Sequence, residues 1–207
     1  MRIFAGPNGS GKSTIYEIVN SKFDVGIYIN PDEVQKTLDE THEIDLSSFG
    51  VSSPYIFSFS KFITQSSLKK KSSRAGYSID LISDKSKIIS LSNQHAYEAS
   101  LLCEFIRENL IRQGKSFTFE TVMSHKSKIE IMEYARSNGY KNYLYFIATD
   151  SPEINIERVR ERVQKGGHPV DTQKINDRYF KSLKLLKSAI ALSYSLLFST
   201  ILRKKLN

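Results

Sequence analysis

The residues best suited to chemistry lie near the start of the sequence. Residues 6–13 read Gly-Pro-Asn-Gly-Ser-Gly-Lys-Ser, a complete G-x-x-x-x-G-K-[ST] pattern. Glycines at these spacings let backbone N–H groups curl around a phosphate, while the lysine reaches the outer phosphates and the serine hydroxyl ligates Mg²⁺. We therefore expect this loop to bind a nucleoside triphosphate, ATP or GTP, with Mg²⁺ on Ser13. The residues expected to contact the nucleotide are Gly6, Pro7, Asn8, Gly9, Ser10, Gly11, Lys12, Ser13 and Thr14.

Acidic residues follow the later predicted strands, where an open parallel sheet binds its ligands. Asp32 follows the second strand, and it fits equally a base for an acceptor hydroxyl and a helix cap or first-turn acid. Glu120 and Thr121 follow the third strand and are candidates for holding the acceptor or a metal-bound water; a charged strand end is the alternative. The spacing from Asp150 to Glu153 after the fourth strand predicts a helix cap.

Two arginines lie four residues apart in the next predicted helix. Arg158 and Arg162 therefore share one helix face, and Gly166-Gly167 follows them. This pattern is typical of a lid that neutralises charge on a triphosphate during phosphoryl transfer, and a solvated basic helix is the alternative. His168 is an isolated histidine, for which we expect a loop or acceptor contact rather than a metal.

The elements that position these residues alternate between strands and helices, which predicts an α/β fold with a parallel sheet. The predicted strands are Arg2–Ala5, Val25–Ile29, Ser116–Phe119 and Tyr143–Ala148. The predicted helices are Lys12–Asn20, Asp32–Leu38, His95–Gln113, Lys126–Asn138, Pro152–Gln164 and a long helix from Asp171. Gly114 and Gly139 follow two of them as helix stops.

The region from about 40 to 94 interrupts this alternation. It contains an aromatic segment with a helix-like start at Ser53-Pro54, a basic serine-rich stretch and a second apolar patch after Tyr77. We expect an inserted segment of helical character beside the sheet, within a single domain that spans residues 1–207.

The composition is that of an ordinary globular protein. The chain has 207 residues, a net charge of +8 and one cysteine, Cys103, which excludes an internal disulfide. No apolar run is long enough to cross a bilayer, and we expect no signal peptide because the first predicted strand begins at Arg2. We expect a cytoplasmic protein without a membrane partner. The positive charge permits nucleic-acid binding, but no aromatic–basic recognition motif accompanies it, so we do not expect nucleic acid as the partner.

The chain resembles the zeta toxin family of P-loop kinases. The resemblance covers well over half of the chain, and the FET and RVxxRVxxGGH segments are its more specific parts. The matching segments are Phe4–Thr14 (FAGPNGSGKST), Ile29–Val34 (INPDEV), Ser116–Ser124 (SFTFETVMS), Tyr140–Ile147 and Arg158–His168 (RVRERVQKGGH), with Val170, Ile175, Arg178-Tyr179 and Ser182-Leu183 continuing the pattern.

The resemblance implies a P-loop NTPase fold of the nucleoside-kinase-like type, a three-layer sandwich. It also implies a kinase that uses ATP and Mg²⁺ to phosphorylate a hydroxyl of a small molecule, in the best-studied members UDP-N-acetylglucosamine, and an antitoxin that blocks the nucleotide site. By resemblance, Asp32 corresponds to the catalytic aspartate. The other residues with implied roles are Lys12 and Ser13 in the loop, Glu120, the lid arginines Arg158 and Arg162, and Glu104 as a substrate contact.

Two regions depart from the family pattern. The nucleotide-sugar pocket is not traceable, because the insertion at about 40–94 replaces that stretch. The C-terminus from about 195 to 207 reads atypically, and we hypothesise that a frameshift in the gene degraded the last strand of the sheet.

Two other functions fit parts of the sequence. A P-loop ATPase that acts as a switch or motor on a macromolecule would share the phosphate loop. An ABC-type ATPase is disfavoured because the nearest string to its signature, Leu91-Ser92-Asn93-Gln94, lacks both glycines. A kinase of nucleic-acid ends has only the basic charge in its favour.

Overall fold

The computed structural model describes residues 1–167 and 169–201, with only the backbone described at 54, 55, 200 and 201. By its internal contacts the chain divides into two compact units. Unit 1 comprises Met1–Val25 and Thr118–Asn207, and unit 2 comprises Gly26–Phe117. The prediction of a single domain is not tested by this division and stays a prediction.

The described residues form strands and helices in alternation over much of the chain. The strands are β1 (Arg2–Ala5), β2 (Ile27–Ile29), β3 (Glu43–Asp45), β4 (Leu81–Asp84), β5 (Lys87–Ser90), β6 (Phe117–Thr121), β7 (Tyr143–Thr149) and β8 (Ser195–Ile201). The helices are α1 (Lys12–Asn20), α2 (Pro31–Thr41), α3 (Ser53–Ile56), α4 (Phe59–Gln65), α5 (Ser67–Arg74), α6 (Ala96–Arg112), α7 (Ser127–Ser137), α8 (Pro152–Gln164) and α9 (Thr172–Ala191).

Unit 1 is built on parallel strands in the order β6-β1-β7-β8. All five residues of β6 are buried, as are Ile3, Phe4 and Ala5 of β1. Strands covered on both faces need such continuous apolar runs, which explains why these segments read as short hydrophobic blocks rather than as alternating patterns. The parallel direction brings the ends of β1, β6 and β7 to one edge of the sheet. The predicted α/β class with a parallel sheet and flanking helices is confirmed.

The helices of unit 1 begin and end where the sequence predicts, within a few residues. The structure has α1 and α8 at the predicted bounds, and Pro152 occupies the first turn of α8, where its missing N–H costs nothing. Gly139 lies beyond α7 with a φ of 81°, the left-handed conformation that a helix stop requires.

Unit 2 contains α2 and α6, which pack together, and a small antiparallel sheet in the order β3-β5-β4. Three short helices, α3 to α5, account for the helical character predicted for residues 40–94. The small sheet and the 3-10 helix Leu46–Phe49 are missing from that prediction. Ile44 faces Ile88 across the β3–β5 pair, and both side chains are buried, so this sheet has an apolar face of its own.

The last described strand, β8, pairs in parallel with β7 from Ser195 opposite Tyr143 to Ile201 opposite Thr149. A final strand is therefore present within the described residues. The hypothesis of a frameshift in the gene stays a hypothesis, and residues 202–207 lie outside the described part of the chain.

Among the described residues, no helix combines the length and the apolar character that a membrane crossing requires.

Candidate active site

The phosphate loop runs from Gly6 to Gly11, between the end of β1 and the start of α1. Gly6, Gly9 and Gly11 all have positive φ angles, of 142°, 75° and 96°. A β-carbon on Gly6 would lie 1.9 Å from the carbonyl oxygen of Ile147, so the loop passes directly against β7. The Gly6 N–H also donates to the Thr121 carbonyl at 3.2 Å. Backbone packing on both sides thus fixes the start of the loop.

The start of α1 is open in the way an anion site requires. Its N-cap is Gly11, which offers no side chain to cap the first-turn N–H groups, and Ser13 and Thr14 are exposed. A helix N-terminus of this kind attracts phosphate through its N–H groups and its dipole. The Lys12 ammonium donates to the Pro7 carbonyl at 3.0 Å, so its charge lies over the loop. These residues fit a triphosphate.

Ser13 and Glu120 come together beside the loop. The Ser13 hydroxyl donates to Glu120 Oε2 at 3.1 Å, and the Glu120 side chain is buried. Hydroxyl and carboxylate oxygens are ligands that Mg²⁺ accepts, with phosphates and waters supplying the rest. The described residues contain no group of three or more His, Cys, Asp or Glu side chains that could hold a metal ion. The pair therefore fits a metal ion that binds together with the nucleotide and takes its other ligands from phosphates and waters.

Glu120 and Thr121 are the last residues of β6 rather than the residues that follow it, which corrects the predicted strand end. Both pair with β1, Glu120 opposite Phe4 and Thr121 opposite Ala5. The Thr121 hydroxyl accepts a hydrogen bond from the Met123 N–H at 3.0 Å and thus shapes the turn after β6. A substrate contact for either residue stays a prediction.

Helix α8 lines a basic cavity of about 450 Å³ in unit 1. Arg158 is half-buried and Arg162 is exposed, and both contribute to the wall. Lys165, Gly166, Gly167 and one acid, Glu161, complete the lining. The cavity therefore carries a net positive charge and suits an anionic ligand. His168 lies outside the described residues, and its predicted loop or acceptor contact stays a prediction.

The cap of α8 differs from the prediction. The N-cap residue is Ser151, not Asp150, and Asp150 is exposed. A hydrogen bond from the Ser151 side chain holds the pKa of Glu153 below its ordinary value. The predicted cap at Asp150 is therefore wrong, and Ser151 itself makes no side-chain hydrogen bond to the N–H groups of the first turn.

Sequence reasoning did not identify a buried polar network behind the phosphate loop. Asn155 of α8 is fully buried; its side-chain amide donates to the Asn8 carbonyl and its oxygen accepts from the Thr149 hydroxyl. The Tyr179 hydroxyl donates to the Thr149 carbonyl at 2.8 Å, and burial raises the pKa of Tyr179. The available indication was an asparagine four residues before Val159, on the inner face of α8.

Asp32 belongs to unit 2, in the first turn of α2. The cap of this helix is Asn30, whose side chain accepts from the Asp32 N–H at 2.9 Å, with Pro31 between them. Asp32 is therefore a first-turn acid and not the cap. Its side chain is exposed and has no ion-pair partner among the residues that the structure describes.

A groove of about 190 Å³ lies beside the same end of α2, within unit 2. Its polar and aromatic lining comes from Asn30, Glu33, Thr37, Asp45, Ser48 and Phe49. The Ser47 side chain and N–H hold the pKa of Asp45 below its ordinary value, so this carboxylate is charged at neutral pH.

Glu104 is half-buried on α6, in unit 2, one helical turn from Arg107 and Glu108. It does not line this groove, and its predicted contact with substrate stays a prediction.

Comparison with known proteins gives one curated relative and several solved structures. The relative is an uncharacterised protein of Haemophilus influenzae, 35% identical over 69 residues, which are 33% of this chain and 49% of that protein. The chain thus matches about half the length of the curated relative.

The solved structures show the fold alone, because their sequence identities are low. A protein of Chloroflexus aurantiacus provisionally assigned as a kinase superposes with a TM-score of 0.53 at 14% identity, covering 100% of this chain and 90% of that one. The PezAT chromosomal toxin–antitoxin system of Streptococcus pneumoniae gives 0.53 at 16% identity, covering 96% and 66%. The AvrRxo1-ORF1:AvrRxo1-ORF2 complex with sulphate ions gives 0.50 at 16%, covering 96% and 54%.

The sequence model of the zeta toxin family matches residues 82–196, more than half of the chain. The match spans β6, β7, α8 and the whole of α9, and so includes Glu120, Arg158 and Arg162. The chain belongs to the zeta toxin family.

Proposed function

We propose that this protein is an ATP-dependent phosphotransferase that moves the γ-phosphate to a hydroxyl of a small molecule. The observation that carries the proposal is the open phosphate loop with the Ser13 hydroxyl against the buried Glu120 carboxylate, 3.1 Å apart. A hydroxyl and a carboxylate at the mouth of the loop suit a metal–triphosphate substrate. Membership of the zeta toxin family, with a provisionally assigned kinase among the structural neighbours, supports the same class of reaction.

The residues have separate roles in the proposed reaction. The backbone N–H groups of the loop and Lys12 bind the phosphates, and Arg158 and Arg162 neutralise charge that develops on them. Asp32 takes the proton of the acceptor hydroxyl; the hydroxyl oxygen forms a bond to the γ-phosphorus as the bond to the bridging oxygen breaks, and ADP leaves. Mg²⁺, held by Ser13 with Glu120 beside it, supplies charge neutralisation when bound.

We propose the groove of unit 2 as the place that binds the acceptor. Asp32 and the groove residue Glu33 share the first turn of α2. The groove lining contains two carboxylates, Glu33 and Asp45, and no basic side chain, all within the described residues. Hydroxyls, an amide and an aromatic ring suit the uncharged ring of a sugar better than a diphosphate. A UDP-amino-sugar is the first acceptor to test, with its sugar in this groove.

An antitoxin partner is part of the same proposal. The PezAT structural neighbour is a toxin–antitoxin system, and a partner that covers the nucleotide site would keep a toxic kinase inactive.

The proposal is tested by incubating the full chain with labelled ATP, Mg²⁺ and separate acceptors: nucleotide sugars, nucleosides and polynucleotide ends. We expect label to appear on one small molecule. Lys12→Ala and Asp32→Asn should each lower transfer by about 10²- to 10⁴-fold, because one removes a phosphate-binding cation and the other the proposed base.

Asp84→Asn is the matched control, because Asp84 is an exposed aspartate of unit 2 on β4, outside the groove. It should retain wild-type transfer. ATP hydrolysis without any labelled acceptor, and insensitive to Asp32→Asn, would replace the kinase with the P-loop ATPase alternative.

A further inference from the structure

Asn155 is a fully buried amide that joins helix α8 to the phosphate loop. Its side-chain N–H donates to the Asn8 carbonyl, and the Thr149 hydroxyl donates to its oxygen. We propose that Asn155 is a positioning residue for nucleotide binding, which fixes the loop against α8 and thereby fixes Arg158 relative to the bound phosphates. The inference rests on the proposed function, in which the loop binds the nucleotide. Asn155 itself touches no reacting atom.

The backbone of α8 packs on the loop at the same point. A β-carbon on Gly9 would lie 2.7 Å from the Asn155 carbonyl oxygen and 3.2 Å from Val159 Cγ2. The loop and the helix are therefore in direct contact, and Gly9 has no room for a side chain. A change in the position of α8 has to move the loop residues between Asn8 and Gly11, whose N–H groups form the phosphate cradle.

Asn8 is held from a second helix as well. The Arg178 guanidinium of α9 donates to the Asn8 side-chain oxygen at 3.5 Å, while Asn155 of α8 binds the Asn8 carbonyl. Tyr179, next to Arg178, ties α9 to the end of β7 through the Thr149 carbonyl. Two helices thus converge on Asn8, and both are also hydrogen-bonded to Thr149 at the end of β7.

Burial makes the Asn155 contacts specific. Asn155 is fully buried and Asn8 is half-buried, so the Asn8 carbonyl would lose a donor that solvent replaces poorly, which costs more than the loss of an exposed hydrogen bond. Removing the Asn155 amide should therefore release the Asn8 peptide from its present orientation. The phosphate-facing N–H groups that follow in the loop would lose their fixed geometry, and nucleotide affinity would fall.

The test compares Asn155→Ala with Asn142→Ala. Asn142 is a matched control, a buried asparagine of unit 1 whose amide donates to the carbonyls of Met132 and Leu192 at 2.9 and 3.1 Å. We expect both variants to lower the melting temperature. Only Asn155→Ala should weaken binding of a fluorescent ATP analogue, by about tenfold, measured at a temperature where both variants are folded.

Equal affinities of the two variants for the ATP analogue would overturn the inference. If Asn155→Ala does not fold, Asn155→Ser replaces it. Serine keeps a donor on a shorter side chain, so the Asn155→Ser protein should bind the analogue more weakly than wild type. Wild-type affinity of the folded Asn155→Ser protein would then overturn the inference.

The readout separates this inference from the proposed function. Binding of the ATP analogue needs no acceptor, so a loss confined to Asn155→Ala supports the positioning role even if no acceptor is ever labelled. Where transfer is measurable, Asn155→Ala should raise the KM for ATP and leave the KM for the acceptor unchanged. An equal rise in both would contradict the positioning role.

Discussion

At Gly6 the phosphate loop passes so close to β7 that no side chain fits. A β-carbon there would lie 1.9 Å from the Ile147 carbonyl oxygen, and the φ of Gly6 is 142°. Gly6→Ala should therefore lower the free energy of unfolding by about 3 kcal/mol, because it combines backbone strain with a backbone clash. Urea unfolding followed by circular dichroism measures the change.

Gly139 provides the control for Gly6, since it also has a positive φ, of 81°, but open space around its β-carbon position. Gly139→Ala should cost only about 1 kcal/mol, the strain of a left-handed alanine. Equal losses for the two variants would mean that the close approach of Gly6 to β7 contributes nothing beyond its backbone angle.

Single residues were predictable where a local sequence motif determines their role. They were not predictable where contacts between distant parts of the chain determine it. The loop glycines, Lys12 and Ser13 follow from spacing alone, because the phosphate cradle is a local backbone structure. Asn155 was not predictable, since its partner Asn8 lies far away in the sequence. Asp32 illustrates the intermediate case: the sequence left a base, a helix cap and a first-turn acid open for it, and the cap is supplied by Asn30, two residues earlier.

Helix α6 carries a half-buried acid whose charge has a measurable cost. Burial raises the pKa of Glu108 above its ordinary value, although Arg112 lies 3.5 Å away and acts in the opposite direction. A carboxyl with a raised folded-state pKa binds protons more tightly in the folded state than in the unfolded state. Its contribution to stability is therefore greatest at acidic pH and is lost as pH rises through the folded-state pKa.

Glu108→Gln should thus raise the free energy of unfolding more at pH 7 than at pH 4. We expect a difference of only about 0.5 kcal/mol between the two pH values, because solvent screens a half-buried group. Thermal unfolding of variant and wild type at the two pH values measures the difference. Glu133→Gln is the control, because it removes an exposed carboxyl on α7. A Glu108→Gln protein that loses stability at pH 7 would show that the Arg112 pair outweighs desolvation.

The longer helices and the strands β1, β6 and β7 were predictable from the sequence, whereas the short strands of the small sheet were not. The 9-residue α1 and the 13-residue α8 have the predicted bounds, because periodic spacing and a glycine or proline mark their ends. The strands β3, β4 and β5 have only three or four residues each, too few for alternation to stand out. The hairpin turn between β4 and β5 contains Lys85 at a φ of 52°. It lacks the Asn-Gly or Asp-Gly sequence that indicates such a turn.

At the scale of the whole chain, the family match and the compact units divide the sequence differently. The zeta toxin match begins at residue 82 and so leaves out the phosphate loop, whereas unit 1 combines that loop with Glu120 and α8. Contacts between distant segments, such as Ser13 with Glu120, create this unit. The order of strands and helices along the sequence predicts the parallel sheet. It does not predict the boundaries of the compact units, because these depend on contacts between distant segments.

Toxicity is a property of the whole protein in a cell, and Lys12 is the residue on which it should depend. Expression of the wild-type chain should slow bacterial growth, and Lys12→Ala should abolish the effect because the outer phosphates lose their cation. Lys22→Ala is the matched control, since Lys22 is an exposed lysine beyond the end of α1 and outside the phosphate loop. Growth curves at equal protein levels should show slow growth for wild type and Lys22→Ala only. Equal growth of the wild-type and Lys12→Ala strains would remove toxicity from the proposal and leave the phosphotransferase activity to be judged by label transfer alone.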